Sequence, residues 1–188
     1  LQHFGTWLND PRTPECYTTR ALVLMRDSQT GVHYSTSNPC VVYSGRWLDP
    51  YSGQELKLAR DMDVDHVVAL KNAFESGAFD WDSKSRCLYA NFMGFAHHLL
   101  AVSKTENSAK GDRSPEEWMP SDESYACQHL QNWLLVKFIW RLNMTESEAQ
   151  AITQEIQNHR CDLAGFNFSR TEIEKIRRRA VNDLEICE

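Results

Sequence analysis

The sequence predicts an α+β fold from three features of its layout. The first third alternates turn signals with short apolar runs, the middle carries two strand-like runs, and the last part repeats helix-start signatures. At 188 residues the chain should bury roughly 70% of the surface that an unfolded chain exposes, enough for a full core. Its 41% hydrophobic and 24% charged residues exclude disordered, collagen-like and coiled-coil chains. No repeat or low-complexity linker divides it, so a single domain is expected in three stretches, residues 1–61, 62–112 and 113–188.

In residues 1–61, Asn9-Asp10-Pro11, Asn38-Pro39, Asp49-Pro50 and Ser52-Gly53 separate runs such as Ala21-Leu22-Val23-Leu24 and Val41-Val42-Tyr43, which predicts short strands and loops. The middle stretch opens on Asp63-Val64-Asp65-His66-Val67-Val68-Ala69-Leu70, strand-like through its β-branched residues. Leu99-Leu100-Ala101-Val102 is a second short strand candidate. Directly after it, Ser103 with Glu106 forms a capping box, in which hydroxyl and carboxylate satisfy free amides at a helix start, and Gly111 suits the stop. Ser114-Pro115-Glu116-Glu117, Thr145-Glu146-Ser147-Glu148 and Ser169-Arg170-Thr171-Glu172 match the same box, the first with Pro at the opening helical position. A longer helix over about 123–142, apolar nearly all round in its second half, should run through the core.

Lys plus Arg is 20 and Asp plus Glu is 26, and the resulting charge of −6 argues against coating nucleic acid by bulk charge. No run reaches the roughly 18 apolar residues that span a bilayer, since 133–140 contains Lys137, so no membrane association is expected. The start at Leu1, without Met or a charged leader, fits a mature or a trimmed chain alike. Cys16, Cys40, Cys87, Cys127, Cys161 and Cys187 are dispersed, with no CxxC or CxxH pair to nucleate a zinc site. Disulfides are the simplest reading, with buried reduced thiols as the alternative. Sequence does not choose among the many connectivities; local geometry favours Cys16 with Cys40 across an N-terminal hairpin and Cys127 with Cys161 across two helices, leaving Cys87 with Cys187. Oxidised cysteines imply a secreted, periplasmic or lumenal home. The sequons Asn143-Met144-Thr145 and Asn167-Phe168-Ser169 matter only in a eukaryotic source.

If the two middle strands pair, Asp65 and His66 lie on opposite faces of the first, yet at a twisted strand end both border one cleft. The helix that follows carries Asn107 and Lys110 at i and i+3, on one face. An imidazole, a carboxylate, an amide oxygen and an ammonium are thereby assembled. The oxygen donors suit a hard ion that keeps several waters, Mg²⁺ before any thiophilic metal. A neutral His can take a proton from water near pH 7. Base, metal and nearby cation are the parts needed for phosphodiester hydrolysis.

These residues, Asp63-Val64-Asp65-His66-Val67-Val68, then Leu99-Leu100-Ala101-Val102-Ser103 and Asn107-Ser108-Ala109-Lys110-Gly111-Asp112, resemble the HNH nucleases of the ββα-metal (His-Me finger) superfamily. The similarity is closest to the secreted bacterial branch, in which a Lys-Gly-Asp segment precedes Trp-x-Pro, here Lys110-Gly111-Asp112 and Trp118-Met119-Pro120. Further similar pieces are Gly45-Arg46-Trp47-Leu48-Asp49-Pro50-Tyr51, Ser76-Gly77-Ala78, Arg86, Tyr125-Ala126-Cys127 and residues 133–137, so the resemblance covers most of the chain. It implies a ββα-metal motif embedded in a mainly helical domain. His66 is implied as general base, and Asp65 and Asn107 as ligands of one divalent cation, Mg²⁺ before Mn²⁺ or another ion. His98 stands where the pattern has its middle Asn, a departure. An imidazole can still brace the loop through a backbone carbonyl, and the alternative is that it reaches the metal. Asp63 is either a carboxylate orienting His66 or the metal's waters, or a surface group at the strand entry.

Lys110, Arg86, Lys104 and Arg113 are the phosphate-binding candidates, weighed against solvated or bracing roles. Lys137 in an apolar helix is most simply a snorkelling side chain or half of an ion pair. His97 is expected at the surface, and His129 and His159 lack metal-ligand spacing. The expected function is a secreted or periplasmic, monomeric, metal-dependent endonuclease that cuts DNA, with RNA left open, and leaves 5′-phosphate ends. No groove-entering element rich in Arg, Asn or Gln is recognisable, so little sequence preference is expected. The alternatives are a nucleic-acid or protein binding module that kept the scaffold without turnover, and a toxin-type nuclease with a cognate inhibitor protein.

Overall fold

A short apolar run such as Ala21-Leu22-Val23-Leu24 has no periodicity that separates helix from strand, and its flanks decide. In the computed structural model, which describes residues 3–9 and 16–187, the run is helical and not a strand. Thr18 caps α1 (Thr19–Asp27) by accepting from the Ala21 amide, and Arg26 sits in the last turn, where a cation favours the helix dipole. Three antiparallel strands follow in the order β1 (His33–Tyr34), β2 (Val42–Leu48) and β3 (Glu55–Leu58).

β4 (Met62–His66) and β5 (Leu99–Ser103) form a separate antiparallel pair, in register from Met62 opposite Ser103 to His66 opposite Leu99. Residues 67–98 between them hold α2 (Leu70–Glu75) and α3 (Ser83–Asn91), two helices not expected from sequence. Asp82 starts α3 by accepting from the Ser85 amide at 2.7 Å. α4 (Lys104–Lys110) leaves β5 without a loop, because Ser103 ends the strand and caps the helix, accepting from the Glu106 amide at 3.0 Å. Only half of that box forms, since the Glu106 carboxylate accepts instead from Ser121 Oγ at 3.0 Å. Gly111 ends α4 at φ 57°, a backbone state that favours glycine.

The helix expected at Ser114 does not form. The Glu117 and Trp118 amides both donate to the Ser114 carbonyl, and the chain then straightens, because Met119 precedes Pro120 and a residue before proline is disfavoured in the helical region. The other C-terminal helices are α5 (Ala126–Trp140), entered through a 3-10 turn over Glu123–Tyr125, α6 (Glu146–Asn158) with a complete Thr145–Glu148 capping box, and α7 (Arg170–Asn182), capped by Ser169.

A two-stranded ribbon is marginal alone, and here it is buried on both faces. Val64, Leu99 and Ala101 join Val23, Leu24 and Trp47 on one side, while Leu100 and Val102 join Val68, Leu130 and Trp133 on the other. Disulfides pair Cys16 with Cys40, Cys87 with Cys187 and Cys127 with Cys161. The pairs are those that local geometry favoured, but α1 and β1, not a hairpin, lie between Cys16 and Cys40. Among the described residues no helix is long and apolar enough to cross a membrane.

Candidate active site

The last carbonyls of a helix have no partner within it, and the end of α3 uses two of them to hold imidazoles. His66 Nε2 lies 3.0 Å from the Ala90 carbonyl and His98 Nε2 lies 2.6 Å from the Tyr89 carbonyl. A carbonyl only accepts, so Nε2 carries the hydrogen in each ring and Nδ1 keeps a lone pair. The His98 carbonyl accepts from the Val67 amide at 3.2 Å, which closes the 67–98 insertion at the strand end, and its Nδ1 is buried with no hydrogen bond. Burial, with His98 nearby, pulls the His66 pKa down to about 3, and burial pulls that of His98 to about 4. Both rings are neutral at pH 7.

Alternation along β4 turns Asp63 and Asp65 toward α4. Asp65 is buried and accepts two bonds, from the Tyr51 hydroxyl to Oδ2 at 2.6 Å and from Lys110 Nζ to Oδ1 at 2.8 Å. Burial raises the Asp65 pKa against the opposing pull of Lys110 and of the Tyr51 bond. The turn after β2 delivers Tyr51: Asp49 accepts from the Tyr51 amide at 3.2 Å and from Ser52 Oγ at 2.6 Å, and Gly53 takes φ 69°. Burial and the Asp65 charge hold the Tyr51 phenol well above its usual pKa, so it remains a donor.

Asn107 Nδ2 donates to Asp63 Oδ2 at 3.2 Å, which leaves its amide oxygen without a hydrogen bond among the described residues. Asp65, His66 and Asn107 line one cavity of about 600 Å³, together with Trp7, Lys71 and Asp112. The Trp7 ring stacks on His66, 5.3 Å between centroids and 3° from parallel. Asn91 at the end of α3 fixes that N-terminal segment, donating to the Thr6 carbonyl at 3.1 Å and accepting from the Leu8 amide at 2.9 Å. Lys71 and Asp112 pair at 2.6 Å on the exposed rim.

The cation candidates fare differently. Lys110 is 1% exposed and donates to Asp65 and, at 3.0 Å, to the His66 carbonyl, so it is an internal counter-charge and not a phosphate contact. Arg86 is spent on the backbone carbonyls of His3, Phe79 and Trp81 and braces the N-terminal segment. Lys104 lines a separate surface hollow with Ser52, Gln54 and Asp61, and Arg113 folds back onto the Ala109 carbonyl; neither lines the cavity. Sequence reasoning passed over Trp7 and Lys71, and gave Tyr51 no role. The Asp-Pro-Tyr-Ser-Gly turn pattern was the available signal for Tyr51; Trp7 carried none.

Among the described residues no three His, Cys, Asp or Glu side chains gather into a metal cage. Asp65 and Asn107 nonetheless offer a carboxylate and a free amide oxygen to one cavity, and each Asp65 oxygen keeps a further lone pair. Two oxygen donors fit a hard divalent ion that retains most of its waters, and they do not fit zinc.

Residues 19–155 match the family model described as GmrSD restriction endonucleases, C-terminal domain. The matched segment contains Tyr51, Asp65, His66, His98, Asn107 and Lys110 but not Trp7. An uncharacterized secreted protein of Arthroderma benhamiae is 40% identical over 135 residues, which cover 72% of this chain and 64% of that protein, just under two thirds of its length. No solved structure matches the chain.

Proposed function

The chain belongs to the family of GmrSD restriction endonuclease C-terminal domains, and from that premise we propose that it is a secreted, metal-dependent nuclease hydrolysing phosphodiester bonds of DNA, with RNA as a second substrate class. The observation that carries this reading is the convergence of His66, Asp65 and Asn107 on one cavity, at the junction of β4, β5 and α4. It is also the arrangement that the HNH resemblance implies. Secretion is supported by three disulfides and by the description of the fungal relative.

In the proposed reaction His66 is the general base. Its Nε2–H is anchored on Ala90, so the lone pair on Nδ1 is the atom that takes a proton from water. The water oxygen forms a bond to phosphorus in line as the bond from phosphorus to the 3′ oxygen breaks, leaving a 5′-phosphate, and the departing oxygen takes a proton from solvent. Asp65 and Asn107 would hold a divalent cation, which when bound would offset the negative charge that grows on the phosphate. Tyr51 and Lys110 fix the Asp65 carboxylate, and Asp63 fixes the Asn107 amide with its oxygen unspent. Lys71 is the exposed cation on the cavity rim and is assigned the phosphate contact.

One feature favours a second reading. The Asp65 carboxylate already has a full internal counter-charge in Lys110, as in a scaffold that has given up its metal and only binds. Calorimetric Mg²⁺ titration separates the two. Native protein should bind one ion per chain and Asp65→Asn should lose that heat; identical titrations would favour the binding module.

A further inference from the structure

The sequence contains two Asn-x-Ser/Thr triplets, Asn143-Met144-Thr145 and Asn167-Phe168-Ser169, and the nuclease reading uses neither. They share one local design. In each, the hydroxyl residue is the N-cap of a helix, Thr145 accepting from the Glu148 amide for α6 and Ser169 from the Glu172 amide for α7. Each Asn therefore stands two residues ahead of a cap, outside regular structure, and both are exposed.

The backbone at these positions is pinned while the side chains are not. The Asn143 amide donates to the Ser76 carbonyl at 2.8 Å, and its carbonyl accepts from Lys137 Nζ at 2.8 Å. The Asn167 amide donates to the Ala164 carbonyl at 3.2 Å. Neither side-chain amide forms a hydrogen bond among the described residues, so an attached group displaces nothing. Exposed apolar side chains flank both positions: Met144 follows Asn143, Leu163 precedes Asn167 and is 70% exposed, and Phe168 packs against the half-exposed Phe138 ring. Neither asparagine lines the cavity of Asp65 and His66.

We propose that Asn143 and Asn167 are both N-glycosylated, each glycan shielding the exposed apolar side chains beside it. The proposal rests on the secreted part of the proposed function, through a eukaryotic secretory pathway such as that of the fungal relative, and not on its nuclease part. The donor is a polyprenyl-pyrophosphate-linked oligosaccharide. A bond forms between the anomeric carbon and Asn Nδ2, the bond from that carbon to the phosphate oxygen breaks, and the amide gives up one proton as the lipid pyrophosphate leaves.

The test is secretion of the full chain from a yeast host, as native protein, Asn143→Gln, Asn167→Gln and the double variant. Intact mass is compared before and after peptide-N-glycosidase, which converts each occupied Asn to Asp. Native protein should carry two glycans, each single variant one and the double variant none, with Asp appearing at both positions after treatment. An unmodified Asn at either position in the secreted native protein would overturn the proposal. Thiol alkylation of the same sample reads the disulfides, so failure of the secretory premise is seen separately from failure of the glycan assignment.

Discussion

His66 and Asp65 are neighbours in sequence held in opposite ways, one ring hung from a helix end and covered by Trp7, one carboxylate clamped between a phenol and an ammonium. That Asp65, His66 and Asn107 could border one cleft was legible from their spacing, and the structure puts all three on one cavity. The partner of Lys110 was not, since helical spacing tells which face a side chain takes but not whether a carboxylate 45 residues earlier waits there. That pairing has a measurable consequence. Removing one member of a buried ion pair leaves the other uncompensated, at a cost of about 3 to 5 kcal/mol. Lys110→Met should therefore destabilise the protein by about that amount in denaturant unfolding, and Asp65→Asn in the same chain should restore much of it. A Lys110→Met protein as stable as native would contradict the clamp.

At the scale of elements, β4 and β5 were readable from short strand-like runs and α4 and α6 from their caps, whereas α1 and the Ser114 turn differ from what their residues suggest. The reasons are physical. A four-residue apolar run has no period, and the capping signature at Ser114 is followed too closely by Met119-Pro120 for a helix to grow. The end of α3 was invisible, because free helix carbonyls leave no trace in sequence, yet it positions both imidazoles and the N-terminal segment. α4 carries Asn107 and Lys110 and depends on one hydroxyl for its start. Ser103→Ala should cost about 1 kcal/mol in denaturant unfolding and also lower cleavage, since Asn107 sits in the second turn; unchanged stability would show that the cap is redundant.

For the whole molecule, the α+β class and the three cysteine pairs were legible, but the sequence did not reveal how many of its histidines are interior. His66, His98 and His129 are buried, and burial lowers their pKa values to about 3, 4 and 3. Each folded value lies below the unfolded value near 6.5, so the unfolded chain binds more protons between the two. Stability is therefore whole above pH 6.5 and falls as pH drops toward 4, at up to about 1.4 kcal/mol per pH unit for each group. Melting temperature against pH should show this decline, less steep for His129→Phe; an equal slope would place the loss elsewhere. The charge of −6 also reads differently once the site is seen. Lys110 is buried on Asp65, and Arg86 and Arg113 are engaged by backbone carbonyls, so contact with a polyanion rests on a few groups at the rim. The most direct measurement is supercoiled plasmid cleavage by native protein and by a folded His66→Ala variant, each with Mg²⁺ and with EDTA. Native protein with Mg²⁺ should nick and linearise the plasmid, EDTA should stop it, and His66→Ala should be slower by about 10²- to 10⁴-fold. Cleavage at the native rate by His66→Ala, or none by native protein with any divalent ion, would contradict the account.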